Sequence, residues 1–219
     1  MSTIEQKQIP AGVTVNACLL YAADAHGRQT RGGQPYLIHL LECVTILEDE
    51  FGVTDEVTLS AAACHDILED TGRTRDELVE FVGPVVTAVV EEATDDLALN
   101  PCERKAVKLT MASQGAFSYR ARLVMLADKL SNVRSLDKAK ELPPGWTEKE
   151  VKGYMLWCCA IGSSFVESSS AFGADEARLL TAMNDKLVAL VRKSTGLVLA
   201  TAEADLILGY YLNNVKASN

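Results

Sequence analysis

ACHDILEDT, residues 63–71, sets one histidine and three acids into the six positions His65 to Asp70. The residues just before it, LSAAAC (59–64), read as a helix buried on every side. Continuing that helix to Asp70 at about 100° per residue aligns His65 with Glu69 and Asp66 with Asp70. All four then share an arc of roughly 140°. Carboxylates crowded onto a low-dielectric face need a neutralising partner. A divalent cation supplies one. Imidazole with carboxylate suits Mn, Fe, Co, Ni or Zn better than Ca or Mg, which prefer oxygen shells. The competing reading is a solvated helix face with a satisfied histidine.

Two other stretches bear on that choice. His39 lies mid-helix in PYLIHLLECV (35–44), and Asp128 follows the apolar run Leu123 to Ala127 in RLVMLADKLSNV (122–133). Each puts a metal-type ligand at an otherwise apolar point of a separate helix. His39, His65, Asp66 and Asp128 together offer two imidazoles and two carboxylates, leaving positions open for water and substrate. Water on such an ion becomes acidic near neutral pH. Glu69 and Asp70, further along, are suited to orient that water and take its proton.

The rest of the chain reads as helices joined by short loops. The pattern predicts helices over 13–26, 37–50, 56–70, 84–93, 102–113, 119–136, 175–193 and 201–212. Thr74 with Glu77, and Thr147 with Glu150, are capping-box signatures that open two more, to Phe81 and to about Ser168. GRQTRGGQP (27–35) and DKAKELPPGW (137–146) are breaks. Strand signals are weak. The expected fold is all-α, a helical bundle with extra C-terminal helices. Residues 1–162 form the expected main domain and 163–219 a helical extension packed on it. The apolar C-terminal helices either cover the bundle or join two subunits.

With 30 acidic against 21 basic residues and a net charge of -9, the composition argues against nucleic acid as partner. A small anion in a local basic pocket stays compatible. The start, MSTIEQKQIP, lacks the basic and apolar regions of a signal peptide. The most apolar later stretch, GYMLWCCAIGSSFV (153–166), falls short of the roughly 20 residues of a membrane span. Six cysteines without a CxxC spacing read as buried thiols in a reducing compartment. A soluble, cytoplasmic protein is expected.

AADAHGRQTR (22–31), PYLIH (35–39), HDILEDT (65–71), ATDD (93–96), ERK (103–105), LADKLSN (126–132) and GWTEKEVKGYMLW (145–157) occur in this order. Together they resemble the HD-domain phosphohydrolases, and within them the hydrolase domain of RelA/SpoT proteins. The likeness is to its stand-alone form, the small alarmone hydrolases of the metazoan SpoT homologue kind. It runs from about Tyr21 to Trp157, and the tail from Ser163 onward shows none. The resemblance implies a helical fold, a manganese ion (or another first-row divalent transition ion) and removal of the 3′-pyrophosphate from (p)ppGpp, the stringent-response alarmone. Metazoan members are also associated with removing the 2′-phosphate of NADPH.

Carried over by motif, the resemblance makes His39, His65, Asp66 and Asp128 the metal ligands. It makes Glu69 and Asp70 the water-activating pair. Arg31 matches an arginine that packs on the nucleobase, Asn132 an asparagine that contacts the nucleotide, and Tyr154 a tyrosine that reaches ribose or phosphate. The chain departs from the family at cations. Gly32 stands where relatives carry a lysine. LALNPC (97–102) lacks the lysine usual between TDD and ERK. Glu150 stands where relatives often have an arginine. Arg28, Arg104, Lys105, Lys108, Lys129 and Arg134 are the candidates to replace them. The pattern therefore predicts intact metal chemistry with altered recognition: an alarmone hydrolase first, and a phosphomonoesterase for nucleotides or NADPH second. A nucleotide sensor without turnover comes third, since it has little use for Glu69 and Asp70. At 219 residues, the sequence predicts degradation only, with no room for the synthetase half of long relatives.

Overall fold

The computed structural model describes residues 9–139 and 141–215. Residues 1–8 of the start read against a signal peptide, and Lys140 of the DKAKELPPGW break, lie outside them. The chain divides into two compact units after Thr94.

The first unit is built around a helix with no polar face. Residues Val57 to Cys64 of α3 (Glu56–Cys64) are all buried, and α1 (Val15–His26), α2 (Leu37–Thr45) and α6 (Pro84–Ala93) pack on it. Alanines 61 to 63 give those neighbours a smooth surface to approach. Asp55 starts α3, accepting the Thr58 amide at 3.2 Å and its hydroxyl at 2.6 Å. The predicted helix over 37–50 is present, but its last turn, Ile46–Glu50, widens to a π-turn. Thr74 and Glu77 form the expected capping box of α5 (Arg75–Val82). The GRQTRGGQP break is a minimal antiparallel hairpin of β1 (Thr30–Arg31) and β2 (Gln34–Pro35). Its turn residues Gly32 and Gly33 both have positive φ, 57° and 77°, the type I′ geometry that glycine adopts without strain.

The helix predicted over 56–70 is not continuous. It ends at Cys64, and a single turn, α4 (Ile67–Asp70), follows. Asp66, at φ -95° and ψ -1°, occupies the bridge region between them. Adjacent residues on a regular helix face different ways. The break brings His65 and Asp66 together while Ile67 returns to the core, fully buried.

In the second unit, α9 (Glu148–Glu167) receives α7 (Pro101–Ser113), α10 (Ala174–Thr195) and α11 (Ala202–Leu212), and α10 also packs on α8 (Tyr119–Lys138). Glycines set these approaches. A Cβ at Gly153 would lie 2.4 Å from the Cβ of Tyr211, and one at Gly162 would lie 2.3 Å from Asn184 Oδ1. Thr147 and Glu150 cap α9 as expected; Asn100 and Glu103 cap α7 the same way. Buried Arg122 ties α8 to the end of α9, donating to the carbonyls of Phe117 at 3.0 Å and Phe165 at 2.9 Å and to Ser168 Oγ at 3.0 Å. The fold is all-α apart from the hairpin. No helix among the described residues is long and apolar enough to cross a membrane.

Candidate metal centre

The first unit gathers His39, His65 and Asp66. His39 comes from α2, and the other two from the break between α3 and α4. Asp66 Oδ2 lies 3.1 Å from His65 Nε2 and 3.4 Å from His39 Nε2. Both rings are buried, with centroids 5.2 Å apart and planes inclined at 67°. His65 Nδ1 is 2.8 Å from the carbonyl oxygen of Ala62. A carbonyl only accepts, so Nδ1 carries a proton, and Nε2, beside Asp66, is the nitrogen that can ligate an ion once it has lost its own. Burial alone would raise the Asp66 carboxyl, yet the two imidazoles hold it well below the usual carboxylate range. An imidazole fixed by a backbone hydrogen bond, a second imidazole and an ionised carboxylate fit a first-row divalent transition ion.

Tyr36 and Cys43 join this cluster, and sequence reading missed both. The Tyr36 hydroxyl is 2.7 Å from Asp66 Oδ2 and 2.7 Å from Asp70 Oδ2. One phenolic proton serves either carboxylate in turn. Burial and the Asp66 carboxylate push the phenol up against the opposing Arg31 guanidinium, so it stays a donor. Its ring stacks on His26 at 4.3 Å and meets His39 edge-on at 5.7 Å. Cys43 follows His39 by one helical turn, with Sγ 3.9 Å from both ring nitrogens. Its i, i+4 relation to a suspected ligand was visible in PYLIHLLECV. Tyr36 lies in PYLIH (35–39), where nothing in the sequence marks its hydroxyl.

Glu69 and Asp70 occupy α4, the first half-buried and the second exposed. Gln29 Nε2 donates to the Asp70 carbonyl at 2.7 Å, fastening this turn to the segment after α1. Arg31 sits on β1 with its guanidinium carbon 5.9 Å from the Tyr36 ring centroid. Gly32 holds a turn position of positive φ, which explains why a shortened hairpin carries glycine there.

The second unit brings Asp128, Asn132 and Tyr154 together. The amide nitrogen of Asn132 is 2.7 Å from Asp128 Oδ1 and 2.7 Å from Tyr154 Oη, and its two hydrogens serve both. The other Asp128 oxygen pairs with Lys129 Nζ at 3.1 Å. Burial alone would lower the Lys129 ammonium, but Asp128 carries it above its ordinary value. Tyr154 lies in an aromatic group, with ring centroids 5.9 Å from Trp146, 5.9 Å from Trp157 and 6.1 Å from Tyr211. Of the candidate cations, Lys105 and Lys108 grip Asp95 at 3.0 and 2.7 Å. Lys105 and Lys129 also lie 4.7 and 5.0 Å from the Trp157 ring centroid. Glu150 is buried and accepts from Thr147 N at 2.6 Å and Thr147 Oγ at 2.8 Å.

The model of the HD domain family matches residues 17–152. Over 143 residues the chain is 40% identical to the guanosine-3′,5′-bis(diphosphate) 3′-pyrophosphohydrolase MESH1 of Drosophila melanogaster, covering 64% of this chain and 78% of that one. The GTP pyrophosphokinase rsh of Brucella abortus (strain 2308) is 33% identical across 93% of this chain but only 28% of its own length. An alignment that long takes in most of residues 163–219, where the sequence alone showed no resemblance. A solved structure, described as a metazoan ortholog of SpoT that hydrolyzes ppGpp, superposes with a TM-score of 0.69 at 34% identity, covering 84% of this chain and 96% of that one.

Proposed function

The chain belongs to the HD domain family, and from that premise we propose that it is a metal-dependent hydrolase removing the 3′-pyrophosphate from a (p)ppGpp-type nucleotide. One observation carries this. A chain 40% identical to a named 3′-pyrophosphohydrolase assembles His39, His65 and an ionised Asp66 around one point. We assign Asp128 as the fourth ligand on its motif. Its carboxylate is already oriented by Asn132, the outer-sphere support that metal ligands commonly have. Manganese is the proposed ion, with another first-row divalent ion able to replace it. When bound, the ion supplies Lewis acidity and an acidic water.

The protein's own groups do the rest. Glu69 and Asp70 hold and receive the proton of the attacking water. Tyr36 keeps Asp66 and Asp70 in fixed relation. Arg31 stacks on the base, while Asn132 and Tyr154 meet the sugar or phosphate. Residues 1–162 are proposed to carry this chemistry, with 163–219 as a supporting extension whose α10 and α11 pack on α9. The acidic charge and six free cysteines support cytoplasmic action on a small nucleotide, without nucleic acid or membrane. A homo-oligomer formed through the C-terminal helices is compatible with this reading.

A second reading has its own support. Gly32 occupies a turn and Glu150 a helix cap, while Lys105, Lys108 and Lys129 are already engaged by carboxylates. A substrate with two diphosphates needs cations. Fewer such contacts favour a less charged one, such as NADPH cut as a phosphomonoester; an adenine alarmone keeps both diphosphates and would differ only in the base. Incubating the Mn-loaded chain with ppGpp, ppApp and NADPH, and resolving the products, decides between them. Pyrophosphate is expected; orthophosphate alone would replace the first reading with the second. Metal binding without turnover of any nucleotide would leave only a sensor.

A further inference from the structure

Cys43 has no part in the proposed hydrolysis, yet it is fully buried against both histidines of the centre. One nitrogen of His39, one of His65 and Cys43 Sγ lie within 4.8 Å of one another. The Sγ is 3.9 Å from either His39 nitrogen, and Asp66 Oδ2 is 3.1 to 3.4 Å from the two Nε2 atoms. In a tetrahedral zinc site, bond lengths of about 2.0–2.1 Å to nitrogen and about 2.3 Å to sulfur put donors about 3.3–3.6 Å apart. Asp66 already lies at that spacing from both imidazoles, while Cys43 Sγ, 3.9 Å from the His39 nitrogens and within 4.8 Å of the His65 donor, has to move inward for the set to close on an ion.

We propose that Cys43 gives this centre a second mode of metal binding: a closed site of His39, Cys43, His65 and Asp66 that captures a soft divalent ion, zinc or cadmium, through the sulfur. All four donors come from the first unit. A thiolate selects zinc or cadmium over manganese, which prefers oxygen and imidazole. Four protein ligands fill a tetrahedral shell and leave no open position, the arrangement of structural rather than catalytic zinc. As the S–metal bond forms, the thiol proton passes to solvent and nothing is oxidised. Because His39, His65 and Asp66 are shared, capture and the catalytic ion exclude each other. That consequence rests on the proposed hydrolase function; the capture itself does not.

Cobalt(II) reports the sulfur directly, because thiolate coordination gives a near-ultraviolet charge-transfer band. The full chain is titrated with cobalt, zinc and manganese as wild type, Cys43→Ala and Cys43→Val, with circular dichroism to follow folding. The wild type should show the band and both variants should lose it. Zinc affinity should fall at least about tenfold while manganese affinity moves less. X-ray absorption at the zinc edge of the wild type covers the case in which neither variant folds, and should find one sulfur among the nearest neighbours. A band that survives in both variants, cobalt binding without a band, or a zinc shell of nitrogen and oxygen alone would overturn the proposal. If manganese binds and supports turnover while no sulfur is found, only this inference falls. If no divalent ion binds the wild type, the hydrolase assignment falls with it.

Discussion

The phenol of Tyr36 donates to Oδ2 of Asp66 across 2.7 Å, and the same hydroxyl is 2.7 Å from Asp70 Oδ2. A proposed metal ligand and a proposed proton acceptor are thus tied through one side chain at the start of α2. Tyr36→Phe keeps the ring, its stacking on His26 and its edge contact with His39, and removes only the hydroxyl. Loss of outer-sphere support typically costs 10–100-fold in metal affinity or activity. Calorimetric manganese titration of Tyr36→Phe should show a drop of about that size with an unchanged unfolding midpoint. Equal affinity in the two proteins would reduce Tyr36 to a packing residue.

The cluster of His39, His65 and Asp66 was legible because these residues interrupt apolar helices, where an ionisable group needs a partner. Tyr36 was hidden for the opposite reason. An aromatic beside a helix start looks like packing until its hydroxyl is placed. The helices themselves followed from apolar spacing and capping boxes. The break at Asp66 did not, since HDILED contains neither glycine nor proline. The break brings His65 and Asp66 together, an arrangement that local propensity does not encode. Glu150 was legible by its spacing. Where relatives often carry an arginine, it forms the cap that its position three residues after Thr147 predicts.

Glu69 and Asp66 separate chemically. Asp66→Asn removes the carboxylate between the two imidazoles and should abolish manganese binding. Glu69→Gln leaves His39, His65 and Asp66 in place, so metal binding should persist while kcat falls by about 10²–10⁴, the range for loss of a general base. Parallel metal titrations and single-turnover assays test the pair. Normal turnover by Glu69→Gln would move the proton acceptor elsewhere, with Asp70 next in line.

Asp95 gives the second unit an acid-sensitive contact. Burial alone would raise its carboxyl, but Lys105 and Lys108 pull it down to about 2. A carboxylate depressed on folding stabilises the native state above its ordinary value of 3.8, and that contribution is lost as pH falls toward about 2. At 1.36 kcal/mol per pKa unit it amounts to about 2 kcal/mol. Asp95→Asn should lower urea stability at pH 7 and flatten its pH dependence between roughly 4 and 2. Parallel pH curves for the two proteins would show that the lysines do not hold this carboxylate in solution.

Gly153 tests whether α11 acts on the groups proposed to meet the nucleotide. A Cβ there would meet the Tyr211 Cβ at 2.4 Å, too close without a shift of α11. Overpacking of this kind usually costs about 1–3 kcal/mol. Tyr211, 1% exposed, packs its ring against Tyr154, whose hydroxyl accepts from the Asn132 amide that also serves Asp128. Displacing α11 should therefore loosen Tyr154 as well as lower stability. Gly153→Ala is expected to raise KM several-fold, with a smaller change in kcat. Adding Tyr154→Phe, which removes the hydroxyl, should add little further. Contacts that share a partner couple in this way, whereas independent sites add. Fully additive effects on KM would confine α11 to a stabilising role and detach it from substrate binding.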